Sequence, residues 1–130
     1  MLAVDTNVVV RYLARDDARQ TSRADELFRA KPILILKSVL LETEWVLRFS
    51  YGFDRELIAK ALRGLAGLPN VGVEEPTAVG RALDWFADGM DFADALHLAS
   101  SAGADQFATF DRKLAKIAQN LGSGNLLLLS

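Results

Sequence analysis

The chain has 130 residues, 51% of them apolar and 25% charged, with a net charge of −2 and no cysteine. That length supports one domain with its own buried core. The missing cysteine removes thiol catalysis, zinc–thiolate centres and disulfides.

A charge at Asp5 leaves no room for the apolar core of a secretion signal, and no uncharged run is long enough to cross a bilayer. The expected location is therefore cytoplasmic. The mildly acidic balance argues against a strongly basic nucleic-acid coat protein. It does not exclude a nuclease, because a metal site made of carboxylates subtracts about four charges that bound cations partly return. Ten arginines against five lysines favour the side chain that grips phosphate bidentately, although many of them will be ordinary helix-surface charges.

Leu2-Ala3-Val4-Asp5 is a short apolar run ending in an acid and reads as a buried strand. Thr6 to Arg15 reads as a helix, with Val8, Val9, Tyr12 and Leu13 at helical spacing. Asp16-Asp17 opens a second helix to about Ala30, which Lys31-Pro32 breaks. Ile33 to Leu36 is a second strand, rich in branched residues. Ser38 is a candidate cap for a long helix to Tyr51, stopped by Gly52. Asp54 caps the next, Arg55 to about Leu68, closed by Pro69. Val71 to Val73 is a third strand, and Pro76 starts a helix to about Ala87. After the Asp88-Gly89 turn, Asp91 opens a helix ending near Gly103. Gln106 to Thr109 is a fourth strand, Asp111 or Arg112 starts a helix to about Leu121, and Leu126 to Leu129 is a fifth strand.

Strands alternating with helices along the full length predict an α/β fold. The expectation is a single domain, 1–130, with a mainly parallel five-stranded sheet flanked by helices on both faces. Ligands of such sheets sit beyond the carboxyl ends of the strands. Asp5 and Asp111 lie there, either as caps for the helices that follow or as ligands. On a wheel of about 100° per residue, Glu42 falls between Trp45, Val46 and Phe49 on the apolar side. Glu44 falls on the other side, where Arg48 at i+4 explains it as a solvated ion pair. A carboxylate facing the core must be paired, protonated or bound to a metal, which singles out Glu42. Asp91 and Asp94 read either as a capping pair or, for Asp94 at the edge of the buried face, as a residue turned to a cleft.

Acids gathered on one rim repel each other unless a cation lies between them. Carboxylate oxygens suit Mg²⁺ or Mn²⁺, which can activate water and stabilise a phosphodiester under attack. The single histidine, His97, has no partner for a triad and reads more readily as a rim residue.

These segments together resemble the PIN-domain nucleases, in particular the VapC-type toxins of toxin–antitoxin pairs. Val4-Asp5-Thr6-Asn7 looks like the opening strand and first acid. Leu41-Glu42-Thr43-Glu44-Trp45-Val46-Leu47 matches the segment of the second acid, Asp91 to Ala99 the helix of the third with Asp94 in place, and Ala108-Thr109-Phe110-Asp111-Arg112 the strand end of the fourth. The resemblance implies an endoribonuclease whose Asp5, Glu42, Asp94 and Asp111 bind Mg²⁺ or Mn²⁺ and carry catalysis. Asn7, Asp91 and Thr109 would orient those carboxylates or their waters. It also implies an RNA substrate, a homodimer and a small antitoxin that blocks the cleft. Arg11, Arg15 and Arg112, near the strand-end acids, are candidate substrate contacts.

One rival reading is a Mg²⁺-dependent phosphotransfer domain. The haloacid dehalogenase type wants a second Asp where Asn7 stands, and the receiver type wants a late strand-end Lys where Lys113 is already helical. The other rival is a non-catalytic module that binds RNA or protein, which has no use for acids facing phosphate.

Overall fold

The computed structural model describes residues 1–123 and 125–130. The chain packs as two compact units, Met1–Pro76 and Thr77–Ser130. No helix among the described residues is long and apolar enough to cross a membrane.

The first unit runs β1 (Leu2–Ala3), α1 (Thr6–Ala14), α2 (Ala18–Ala30), β2 (Ile33–Ile35), α3 (Lys37–Phe49), α4 (Arg55–Ala66) and β3 (Val71–Val73). Its three strands form a parallel sheet in the order β1-β2-β3, with Leu2 opposite Ile33 and Ile33 opposite Val71. Ile33 and Ile35 on the central strand are fully buried. Helix α1 packs against both α2 and α3, and α4 lies on β3. The second unit carries α5 (Pro76–Ala87, opening on the boundary residue), α6 (Phe92–Ser100), β4 (Phe107–Thr109), α7 (Arg112–Leu121) and β5 (Leu126–Leu128). There β4 and β5 pair in parallel and α7 packs on β5. Phe86 and Phe92 meet edge to face at 5.3 Å in its apolar interior.

The five expected strands are all present, but they form two small sheets rather than one five-stranded sheet. A strand joins a second neighbour only if its free edge offers amides and carbonyls over a run of residues. β1 is two residues long and pairs with β2 before Asp5 caps the next helix, so it offers little further backbone to a ladder. Apolar patterning marks the strands and carries no information on which edges pair.

Among the described residues, five helices open on an aspartate. Asp5, Asp17, Asp54, Asp91 and Asp111 accept from the amides of Val8, Gln20, Leu57, Asp94 and Leu114 at 2.9–3.2 Å. Each such cap contributes about 1 kcal/mol. Helix α3 differs from expectation. It begins at Lys37, so Ser38 lies inside it, and its N-cap residue Leu36 offers no side-chain acceptor. The Lys37 amide instead donates to the Glu74 carboxylate at 2.9 Å, while Lys37 Nζ pairs with Glu75 at 2.7 Å. At the end of α1, Arg15 takes the left-handed conformation (φ 56°) that normally selects glycine. A two-pronged pairing of its guanidinium with Asp25, at 2.9 and 2.6 Å, offsets that strain.

The wheel reading of α3 is reversed by the structure. The buried stripe is Val39, Leu40, Thr43, Glu44 and Leu47, whereas Trp45 and Phe49 are 55% and 60% exposed and Glu42 is exposed beside them. Two aromatic rings weighted the apolar side of the wheel toward solvent. The Glu44–Arg48 pair is present, with Nε–Oε2 at 2.7 Å and Nη2–Oε1 at 3.2 Å, but it is not solvated at the acid, since Glu44 is 2% exposed. Arg48 is exposed at 42% and also lies over the Phe49 ring at 4.5 Å. Removing one partner of such a pair leaves a buried charge unsatisfied, whereas removing both does not. Arg48→Met should therefore cost about 2–3 kcal/mol in urea denaturation, at the low end because the guanidinium is partly wet. Glu44→Leu with Arg48→Met should recover most of that loss. An unchanged midpoint in the single variant would show that Glu44 tolerates burial without Arg48.

Candidate active site

In the first unit, the chain leaves β1 and enters α1 within two residues, which sets Asp5 at the strand end and Thr6 as the first helical residue. Asp5 Oδ1 takes the Val8 amide at 3.2 Å. A carboxylate has more acceptor capacity than one cap uses, so the exposed Asp5 keeps an oxygen for another partner. Thr6 Oγ1 donates to Glu42 Oε1 at 3.2 Å, across 36 residues of chain. That bond brings Glu42 of α3 to the start of α1, beside Asp5. Thr6 is the site residue that the residue-by-residue reading passed over. The available signal was a hydroxyl at the first helical position directly after a strand-end acid. Asn7 is exposed and lines a cavity of about 410 Å³ with Asp5, Arg11, Gln20 and Arg23.

In the second unit, Asp91 caps α6 by accepting from the Asp94 amide at 3.1 Å, which fixes where the half-buried Asp94 stands. Burial, then the charges of Asp91 and Asp111, push the Asp94 carboxyl above its ordinary value, with His97 acting in the opposite direction. The structure thus places Asp91, Asp94 and Asp111 within electrostatic reach of one another. Thr109 Oγ1 accepts the Asp111 amide at 3.0 Å and shapes the turn out of β4, and Asp111 Oδ1 caps α7 at the Leu114 amide. His97 is exposed, one turn beyond Asp94.

The sequence-predicted residues are therefore gathered in two sets, Asp5 with Glu42 and Asp94 with Asp111. Among the described residues, no three His, Cys, Asp or Glu side chains form a ready-made metal-ligand group. The chemistry of the sets still fits a hard divalent cation. All the donors are carboxylate oxygens, and Asp94, raised first by burial and then by the charges of Asp91 and Asp111, is a carboxyl whose ionised form a cation would favour. Of the expected substrate arginines, Arg11 and Arg15 are committed elsewhere. Arg11 donates to Gln20 and to Tyr51 Oη and pairs with Asp16 at 3.3 Å, and Arg15 holds Asp25. Arg112 is exposed directly after Asp111.

A family model described as the PIN domain matches residues 2–120, across both units. The chain belongs to the PIN-domain family. Membership carries metal-dependent nuclease activity as the general property of the family, usually with Mg²⁺ or Mn²⁺ and with RNA as the substrate it points to. A comparison with curated proteins finds no match.

The sign of the Asp94 shift gives a stability test. A carboxyl raised in the folded state favours folding in its protonated form. That advantage is present below the unfolded value of 3.8 and is lost as pH rises through the folded value. At neutral pH without metal, ionised Asp94 opposes folding, so Asp94→Asn should raise the melting temperature in a chelator. Millimolar Mg²⁺ should stabilise the wild type more than the variant. A variant that melts lower than the wild type in the chelator would contradict the cost of burying an ionised Asp94 near Asp91 and Asp111.

Proposed function

We propose that this PIN domain is a Mg²⁺- or Mn²⁺-dependent endoribonuclease in which Asp5, Glu42, Asp94 and Asp111 hold the metal and carry catalysis. The observation that supports it most is the Thr6–Glu42 hydrogen bond, which holds the exposed Glu42 to the neighbour in sequence of the exposed Asp5. A bound divalent cation supplies Lewis acidity to a water and to the phosphodiester. The protein's own side chains position it. Thr6 orients Glu42, the α1 amides fix Asp5, Asp91 fixes the start of α6 under Asp94, and Thr109 fixes the turn that presents Asp111. Asn7, which lines the same cavity as Asp5, would orient the carboxylates or their waters.

The purified chain should degrade single-stranded RNA with Mg²⁺ and not with EDTA. Asp5→Asn and Glu42→Gln should each lose at least about a hundredfold in rate. Thr6→Val, which removes only the orienting bond, should lose on the order of tenfold. Full activity of Asp5→Asn would defeat the metal mechanism. RNA binding without cleavage under any divalent cation would favour the non-catalytic module of the same fold.

The finer reading is the toxin of a toxin–antitoxin pair, active as a homodimer and silenced by a small protein that covers the acids. It is supported by the ordered match of the four acid segments to VapC-type chains, and by the exposed Trp45 and Phe49, which stack at 5.0 Å on α3 and leave apolar surface for a protein neighbour. Expression of the chain alone should arrest bacterial growth, expression of Asp5→Asn should not, and sedimentation should give twice the chain mass. Normal growth with an active enzyme in the cell would remove the toxin role and leave the nuclease.

A further inference from the structure

We infer that the crevice between α7 and β5 is a phosphate-backbone subsite that holds the RNA strand next to Asp111. The inference rests on the nuclease reading above and names the part of the chain that grips the substrate.

Arg112, Lys116 and Gln119 stand at i, i+4 and i+7 on α7, so they form one stripe along the helix. They line a cavity of about 580 Å³ whose other side carries Asn125, Leu126 and Leu128. Helix α7 holds three cationic residues, Arg112, Lys113 and Lys116, and no acid. Arg11, Arg15, Lys37 and Arg48 each pair with a carboxylate, whereas among the described residues neither Arg112 nor Lys116 does. Two cations that line one crevice with no acid among its lining residues repel each other. An anionic strand relieves that repulsion, just as a cation relieves the repulsion among the acids.

The spacing suits a strand rather than a lone anion. Four residues of helix advance about 6 Å, which is comparable with the separation of successive phosphates along a nucleic-acid chain. Leu126 and Leu128 give the crevice an apolar wall, and the side-chain amides of Gln119 and Asn125 lie beside it. On the other side of Asp111 stands Phe110, 72% exposed, a ring on which an unpaired base can stack. Asp111 thus has an exposed aromatic residue before it and a cationic crevice after it. A single-stranded RNA passing the acid meets a stacking surface and then a phosphate clamp.

The test compares two lysines of the same helix. Lys116 lines the crevice, and Lys113, equally charged and exposed, does not. Binding of a short single-stranded oligoribonucleotide is measured in EDTA, where no cleavage occurs, over a range of salt. Lys116→Ala should weaken binding about three- to tenfold and reduce the slope of log Kd against log salt by roughly 0.7, the value of one single-strand phosphate contact. In Mg²⁺ it should raise KM with little change in kcat. Lys116→Arg should restore binding, and Lys113→Ala should leave affinity near the wild-type value. Inorganic phosphate at the same concentration should not displace the oligonucleotide. Equal losses in Lys113→Ala and Lys116→Ala would reduce the crevice to a diffuse charge effect and overturn the proposal, as would displacement by inorganic phosphate. If the chain cuts RNA and Lys116→Ala binds normally, the subsite fails and the nuclease stands. If the Lys116 effect appears in a chain that never cuts, the subsite stands and the nuclease reading fails.

Discussion

The structure depends on one repeated interaction, an aspartate at a chain turn that spends one oxygen on the first amides of the next helix. Asp5, Asp91 and Asp111 all do this. The bond stops the preceding strand or turn, sets the direction of the helix and pins the carboxyl group in a single orientation. Capping and ligation are often treated as rival roles for a strand-end acid. Here the first makes the second possible, because an acid held by the backbone needs no further ordering before it meets a cation. The helix N-terminus also adds its positive end to the field at that carboxylate.

Much of this was legible in the sequence because aspartate before a helix is a local signal. The strand and helix positions follow from apolar runs and punctuation, and their ends moved by only a few residues. Strand pairing was not legible. It depends on which backbone edges meet, and the two side chains of β1 carry no mark of its pairing with β2. The candidate acids divide the same way. Asp5 and Asp111 could be found by position, whereas the link between Glu42 and Thr6 spans 36 residues and leaves no trace in local spacing.

Helix α3 shows where periodicity misleads. Trp45 and Phe49 weighted the wheel toward solvent, and Glu44 went to the interior with Arg48 as its counter-charge. A hydrophobicity count treats an aromatic residue as core and a carboxylate as surface. It cannot register that an ion pair has carried a charge inward, or that two aromatic rings stay exposed. The wheel assigns Glu42 a burial that it does not have. As a candidate it now rests on its hydrogen bond with Thr6 and its exposure, which is firmer ground than the wheel offered.

The unusual start of α3 bears on how the molecule comes into being. Its first amide is satisfied by Glu74, 37 residues further on, rather than by a neighbour. Closing a loop of that length costs entropy that local contacts do not return, and such contacts form late. The helix that carries Glu42 therefore has an incomplete beginning until the end of β3 has docked against it. A ribosome making this chain would release the segments of Asp5 and Glu42 well before residue 74 arrives to anchor the second of them. The geometry of the first acid pair matures with the fold, so a half-made chain carries the acids without yet holding them as a site.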